Sequence, residues 1–281
     1  MSPLIQITKS DGTRQLFDEE KLRSSLKRVG ANNEIIDNVV EEIEREMWDG
    51  MPTTDIYTRA FVLLKKHSKH VAVKYSIRRS LIELGPDGFA FEKFVAHIFK
   101  LWGYDAVNDQ TLMGTCVEHE TDVVAWKDND LAMAEVKFHN EFGLKSDLKV
   151  ALYVKARFDD LSDNLYNYGG KERKLTQRFL FTNTKFTESA VKYGECKDIK
   201  MIGWNYPIHG NIHEIIEKNG FHPITCITLL THEEKRNLIS SGVILCKEII
   251  QDREVLTKIG VKPERIDNIV NECTTIMQEA K

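Results

Sequence analysis

Cysteine is sparse: five residues in 281, at 116, 196, 226, 246 and 273. None forms a C-x-x-C pair and the count is odd, so neither a zinc ribbon nor a disulfide framework is expected. No apolar run approaches the ~18 residues of a membrane span. The opening Met1-Ser2-Pro3-Leu4-Ile5-Gln6 has no basic segment leading into an apolar one, so no secretory leader is expected either. No G-x-x-x-x-G-K-[ST] occurs; Gly169-Gly170-Lys171 lacks the earlier glycine, so any nucleotide site must have another design. There is no basic excess: Lys+Arg is 39 against Asp+Glu 43, a formal net charge of −4. That excludes a histone-like protein holding nucleic acid by bulk charge, though not a local basic patch. These absences predict a soluble, cytoplasmic protein in a reducing setting. What is present is an ordinary globular mixture, 42% hydrophobic and 29% charged, long enough for roughly two domains.

The chain changes character along its length. Leu4 to Lys9 alternates, Asp11-Gly12 signals a turn, and Arg14 to Phe17 returns, which predicts a hairpin. Asp18 is a helix N-cap, with Leu22, Leu26 and Val29 on one face and Gly30 at the end. Ile35, Val39, Ile43 and Met47 mark a second helix; Thr53 or Thr54 caps a third through Ile56, Ala60 and Leu63; a fourth runs from about Val71 to Leu84. Gly85-Pro86-Asp87-Gly88 predicts a domain boundary. Beyond it the pattern reads α-β-β-α-β-α-β: a helix to Trp102, strands over Thr115–Trp126 and Leu131–Phe138, a helix from Ser146 to Leu161, and strands at Arg178–Asn183 and Lys200–Trp204 around a helix at Glu188–Tyr193. This order is typical of an α/β sheet. After Pro207 the chain is helical, with Gly242 and Gly260 as separators.

The chemistry concentrates in the hairpin after Gly114. If Lys127 to Asp130 is a four-residue loop, Trp126 pairs with Leu131 and Asp122 falls opposite Glu135. Their Cβ atoms would lie about 4.5–5.5 Å apart. Alternation puts Lys137 on the same face as Glu135. Two carboxylates that repel each other favour a hard divalent cation, Mg²⁺ or Mn²⁺, with Lys137 at an attacking water or a phosphate. Glu92, on the helix opening Phe89-Ala90-Phe91, is a candidate outer ligand. An acid–x–Lys pair is ordinarily a solvated strand face, but Glu135 and Lys137 lie in the apolar strand Leu131 to Phe138, where unpaired charge is costly. Glu120 shares the Asp122 face, His119 is read as structural, and His209 with His213 as a surface pair.

Glu92-Lys93-Phe94-Val95, then Gly103-Tyr104, then Asp122, then Glu135-Val136-Lys137 resembles the PD-(D/E)XK nuclease superfamily, and more narrowly the Mrr-like type IV restriction endonuclease domain. Phe181 to Ala190 is similar to that family's fourth strand and following helix, and Ile202-Gly203-Trp204 to its last strand, so the likeness spans about 89–218. The resemblance implies metal binding by Asp122 and Glu135, a catalytic Lys137 and an assisting Glu92, together a metal-dependent endodeoxyribonuclease. Many Mrr-like members have Gln-x-Lys where this chain has Glu-x-Lys.

The first 84 residues resemble the ATP-cone domain, through Lys9-Ser10-Asp11-Gly12, Phe17 to Lys21, Thr53 to Ile56 and Val73-Lys74-Tyr75. The resemblance implies ATP or dATP as regulatory ligand, held by Lys9, Ser10, Asp11, Gly12, Lys21, Thr53, Lys69 and Lys74. Most such domains have Arg where this chain has Ser10. Lys65 to Arg79 holds six Lys/Arg and no acid, which suits an anion site, a DNA patch or a solvated basic face. The tail is loosely similar to helix-hairpin-helix units and reads equally as a DNA contact or an oligomerisation module.

The expected architecture is an α/β multidomain chain. It has an N-terminal hairpin plus four-helix ATP-cone at 1–84, a central PD-(D/E)XK α/β nuclease fold at 89–218 and a C-terminal helical module at 222–281. The expected function is a nucleotide-regulated, Mg²⁺-dependent DNA endonuclease, homo-oligomeric and not membrane-bound. The alternative is an inactive nucleotide-sensing DNA-binding regulator.

Overall fold

The computed structural model describes residues 5–9, 12–86, 88–141 and 143–278, without the side chains of Lys69 and His70. Two compact units emerge: residues 1–80 with 141–143, and residues 81–140 with 144–281. The helices after 222 belong to the same unit as the sheet.

In the first unit β1 (Gln6–Thr8) pairs antiparallel with β2 (Arg14–Leu16), as the Asp11-Gly12 turn signal predicts. Helices α1 (Glu19–Arg28), α2 (Asn33–Glu46), α3 (Thr53–His67) and α4 (Lys69–Ile82) follow. Asp18 and Asn32 cap α1 and α2 by accepting backbone N–H groups of Lys21 and Ile35. Two local expectations need correction. A short β3 (Met51–Pro52) runs parallel to β1, pairing Ile7 with Met51 and Thr8 with Pro52. Pro52, not Thr53 or Thr54, is the N-cap of α3, because β3 runs up to that residue and the helix starts at Thr53; its ring has no polar atom with which to make a side-chain capping bond. Leu26, Val39, Ile43, Ala60, Leu63 and Leu64 form the core between the helices.

The second unit is built on a five-stranded sheet of order β12-β10-β6-β5-β4. Its strands are β4 (Asp105–Met113), β5 (Glu118–Lys127), β6 (Asp130–Lys137), β10 (Gln177–Thr182) and β12 (Ile199–Ile202). β6, β10 and β12 are mutually parallel, while β4 and β5 are antiparallel additions. Two smaller pairs accompany the sheet: parallel β7 (Lys145–Ser146) with β11 (Lys185–Phe186), and the hairpin β8 (Tyr166–Tyr168) with β9 (Lys171–Arg173). One face packs on α6 (Leu148–Leu161) and α7 (Glu188–Cys196) through Val124, Leu131, Met133, Phe158 and Leu180. Helix α5 (Phe89–Leu101) buries Ala90, Phe91, Phe94, Val95, Ala96, Ile98 and Phe99 and packs against β4, β5 and β6. Around Phe99 gathers an aromatic lattice of Trp102, Tyr104, Phe179 and Phe181, ring centroids 5.1–5.9 Å from it.

The remaining helices are α8 (Ile212–Asn219), α9 (His232–Ser240), α10 (Cys246–Gln251), α11 (Glu254–Lys258) and α12 (Pro263–Gln278), close to the sequence expectation. The tail is anchored to α5: Phe94 meets Phe221 edge-on at 6.2 Å, and His97 Nε2 lies 3.4 Å from Glu248. Cys226, Cys246 and Cys273 are buried in it, whereas Cys116 and Cys196 are exposed. Two thiols should therefore react with Ellman's reagent in the native protein and five after denaturation. Cys196 should react before Cys116, whose thiol pKa is pushed up by hydrogen bonding to Asp160 and by that carboxylate's charge.

Candidate functional site

The β5–β6 register matches the sequence expectation, with Trp126 against Leu131, but the connection is tighter: Lys127 still pairs with Asp130, and the loop is Asp128-Asn129. Asp128 takes a left-handed φ of 51°, which aspartate tolerates better than most residues.

Regular pairing gives way at Asp122. The β5–β6 ladder runs only to Val123–Ala134, and the Val136 N–H donates to Asp122 Oδ2 at 2.6 Å. On the other side, the β4–β5 ladder skips the position opposite Asp122, where Asp109 has φ 55°, and Asn108 Nδ2 donates to the Asp122 backbone carbonyl. One strand position is thus fixed from both sides by polar groups, and its carboxylate is tied to the backbone of β6.

Glu135 is only 9% exposed. Burial, and next the charge of Asp122, push its pKa up to about 7, and burial also raises that of Asp122. Glu92, in the first turn of α5, and Glu120 on β5 add negative charge: Glu92 acts on Glu135, Glu120 on Asp122. Lys137 is exposed at the end of β6, opposite Thr182 of β10, and its charge opposes the rise at both carboxyls. The structure therefore brings Glu92, Asp122, Glu135 and Lys137 within electrostatic reach at the carboxyl end of β6.

Gly88 makes the approach of α5 possible. At φ 82° it caps the helix, and a Cβ there would stand 3.3 Å from Phe138 Cβ. Beside the cluster lies a polar seam: His139 Nε2 and Ser146 Oγ are 3.0 Å apart, Ser146 donates to Thr182 Oγ1, and Asn183 exchanges hydrogen bonds with the His139 backbone. Burial, then the nearby Lys137, lowers the His139 pKa.

Sequence reasoning missed Arg157. From α6 its guanidinium pairs with Glu135, donates to the Glu120 backbone carbonyl at 2.8 Å and lies 4.6 Å from the Tyr153 ring centroid. Its Nε is buried without a hydrogen-bond partner among the described residues. Its placement i+4 from Tyr153 on one helix is the one local signal. Among the described residues no three His, Cys, Asp or Glu side chains form a metal-ligand cluster. The pair Asp122–Glu135 nevertheless offers hard oxygen donors and a demand for positive charge, which fits a divalent cation taking the place Arg157 now fills.

His119 is structural, as the sequence suggested. Its Nε2 sits 2.7 Å from Asp160, which also accepts from the Cys116 and Val117 N–H groups. The bond to His119 leads in depressing Asp160 to about 2. A Cβ on buried Gly114 would fall 2.1 Å from Asp160 Oδ2 and 2.8 Å from Val117 O. Gly114→Ala should therefore cost about 1–3 kcal/mol by overpacking, seen as a lower midpoint in thermal melts. A cleft of about 300 Å³ lined by Trp102, His209, Gly210, Glu214, Ile215, Lys218 and Asn219 contains none of the four acid-site residues. His209 is exposed there, and His213 pairs with Glu217 at 3.5 Å.

In the first unit, Lys9 and Thr53 directly follow the paired ends of β1 and β3, so the hairpin turn with Gly12 (φ 79°) and the start of α3 lie together. Lys21 is exposed and paired with Asp18 at 3.1 Å, which offsets part of its charge toward a ligand. Lys74 lies on α4 beside Tyr75, which stacks on Tyr57 of α3 at 4.8 Å. Ser10, Asp11 and the Lys69 side chain lie outside the described residues.

A model of the ATP-cone domain family matches residues 5–82, and one described as AF1548-like, C-terminal, matches residues 222–277. An uncharacterized protein of Archaeoglobus fulgidus is 33% identical over 184 residues, 65% of this chain and 99% of that protein. This chain belongs to the AF1548-like family. A solved structure titled as the protein of unknown function AF1548 superposes with a TM-score of 0.56 at 32% identity, covering 68% of this chain and 98% of that one. This AF1548-like protein is thus a mixed α/β multidomain chain with an N-terminal ATP-cone domain and a helical C-terminal region. No helix among its described residues is long and apolar enough to cross a membrane.

Proposed function

We propose that the protein is a nucleotide-regulated, Mg²⁺- or Mn²⁺-dependent endonuclease that hydrolyses DNA phosphodiester bonds in the cytoplasm; action against foreign DNA is the role its nuclease resemblance suggests. The observation that carries this reading is the convergence of half-buried Asp122 and buried Glu135 with exposed Lys137 at one strand end. Asp122 and Glu135 would hold the cation, which when bound neutralises charge on the scissile phosphate and acidifies an attacking water. Asp122 is oriented by the Val136 N–H, so its carboxylate needs no reorganisation to serve. Lys137, free to reach solvent, would donate to the attacking water or to the phosphoryl oxygens as their charge grows. Glu92 would orient a water from the α5 side.

For regulation, Lys9, Gly12 and Thr53 would receive the phosphates of ATP or dATP, and the nucleotide would bias conformation or self-association according to the state it binds better. The Glu135–Arg157 pair is the observation that favours the second reading, a nucleotide-sensing DNA-binding regulator without cleavage. One assay separates them: supercoiled plasmid with Mg²⁺ or EDTA, with and without ATP and dATP, for wild type and Glu135→Ala. Cleavage only by wild type with Mg²⁺, changed by nucleotide, is expected. DNA bound but uncut in every condition would leave the regulator. Calorimetry with ATP and dATP on the full chain tests the cone directly.

A further inference from the structure

Arg157 sits where the proposed metal should act. Its guanidinium pairs with Glu135, the more strongly perturbed of the two acids, and it is held there by the Glu120 carbonyl. The side chain is 15% exposed, and its Nε is buried without a hydrogen bond, so the fork is incompletely satisfied in this position. Beside it Tyr153, 49% exposed, offers an aromatic face that can keep contact with the cation as it swings outward.

We propose that Arg157 is a displaceable counter-cation: it neutralises the Asp122–Glu135 pair while the site is empty of metal, yields to a divalent cation, and turns over Tyr153 toward the phosphodiester of the substrate. This rests on the metal-dependent reading above and extends it to a residue that reading does not use. Two cations cannot share Glu135 closely, because like charges at such separations repel strongly in a partly buried site. Released, the guanidinium exchanges a carboxylate for a phosphate, the other oxyanion its planar fork matches. Arg157 is then a positioning residue in one state and a substrate contact in the other.

The test uses the full-length protein and Mn²⁺ alone, by titration calorimetry and by thermal melts in EDTA or Mn²⁺. Arg157→Gln removes the competitor, so it should bind Mn²⁺ about tenfold more tightly than wild type, roughly 1.4 kcal/mol. It should also melt lower in EDTA and regain most of the loss when Mn²⁺ is added. Arg157→Lys keeps the charge without the fork and should fall between the two; it also serves if the glutamine variant folds poorly. Equal or weaker Mn²⁺ binding by both variants, with wild type binding normally, would overturn the displacement and leave the metal site standing. If neither wild type nor either variant takes up Mn²⁺, the metal reading itself falls and the displacement with it. If only the variants bind, displacement is supported in its strongest form.

Discussion

Replacing Glu135 by alanine is expected to reduce plasmid cleavage by on the order of a thousandfold or more, as expected when a ligand of the cation that neutralises transition-state charge is removed. The fold should survive, because the substitution has opposing consequences. It removes a buried carboxylate beside Asp122, relieving desolvation and repulsion, and it strips Arg157 of its partner. The pH dependence of the metal-free protein should change with it. Glu135 has its folded pKa raised from 4.5 to about 7, so between those values the folded state binds the proton better than the unfolded chain. Its contribution is full below pH 4.5 and lost as pH rises through about 7, a fall of up to roughly 3 kcal/mol. Melts in EDTA should show this slope in wild type and lose most of it in Glu135→Ala. The same proton competes with metal, so Mn²⁺ affinity should weaken by about tenfold per unit below pH 7. Lys137→Ala should lower cleavage by about a hundred- to ten-thousandfold with Mn²⁺ affinity little changed, separating its role from ligation.

Phe99→Ala should be the most damaging single change to the fold. The ring is fully buried and meets four aromatic rings edge-on. Removing it forfeits transfer energy and leaves a cavity walled by rigid rings that cannot collapse, a loss of about 3–5 kcal/mol. For a unit of this size that is a drop of roughly 10 °C in calorimetry. Phe99→Leu, which fills most of the volume, should lose under half as much. The damage should reach the site: Phe179 and Phe181 set β10, whose Thr182 lies opposite Lys137. Cleavage should therefore fall in Phe99→Ala at temperatures where the protein is still folded.

The hairpin register was legible because alternation, an apolar run and a turn signal agreed, and a side-chain period of two leaves little freedom once one face is buried. Its loop length was misjudged because Asp128 admits a left-handed conformation and spares two residues for pairing. β4 was invisible: Asp105 to Met113 is an edge strand with only Leu112 buried, so it carries no apolar stripe. β3 is two residues long and exists only because β1 is beside it. The acidic pair could be read locally; Arg157, 22 positions beyond Glu135 on another element, could not. Within the cone, Thr53 was assigned a cap that Pro52 occupies, and Lys21 proved to be engaged with Asp18, a local contact that spacing alone does not reveal.

The anchoring of the tail on α5 bears on how this family can change. Phe221 and Glu248 are shaped to Phe94 and His97, and α5 also carries Glu92. A tail borrowed from a relative would arrive without its counterpart surface, and the helix it tilted would take Glu92 with it. The C-terminal helices and the first helix of the α/β unit are therefore expected to be inherited as a matched set.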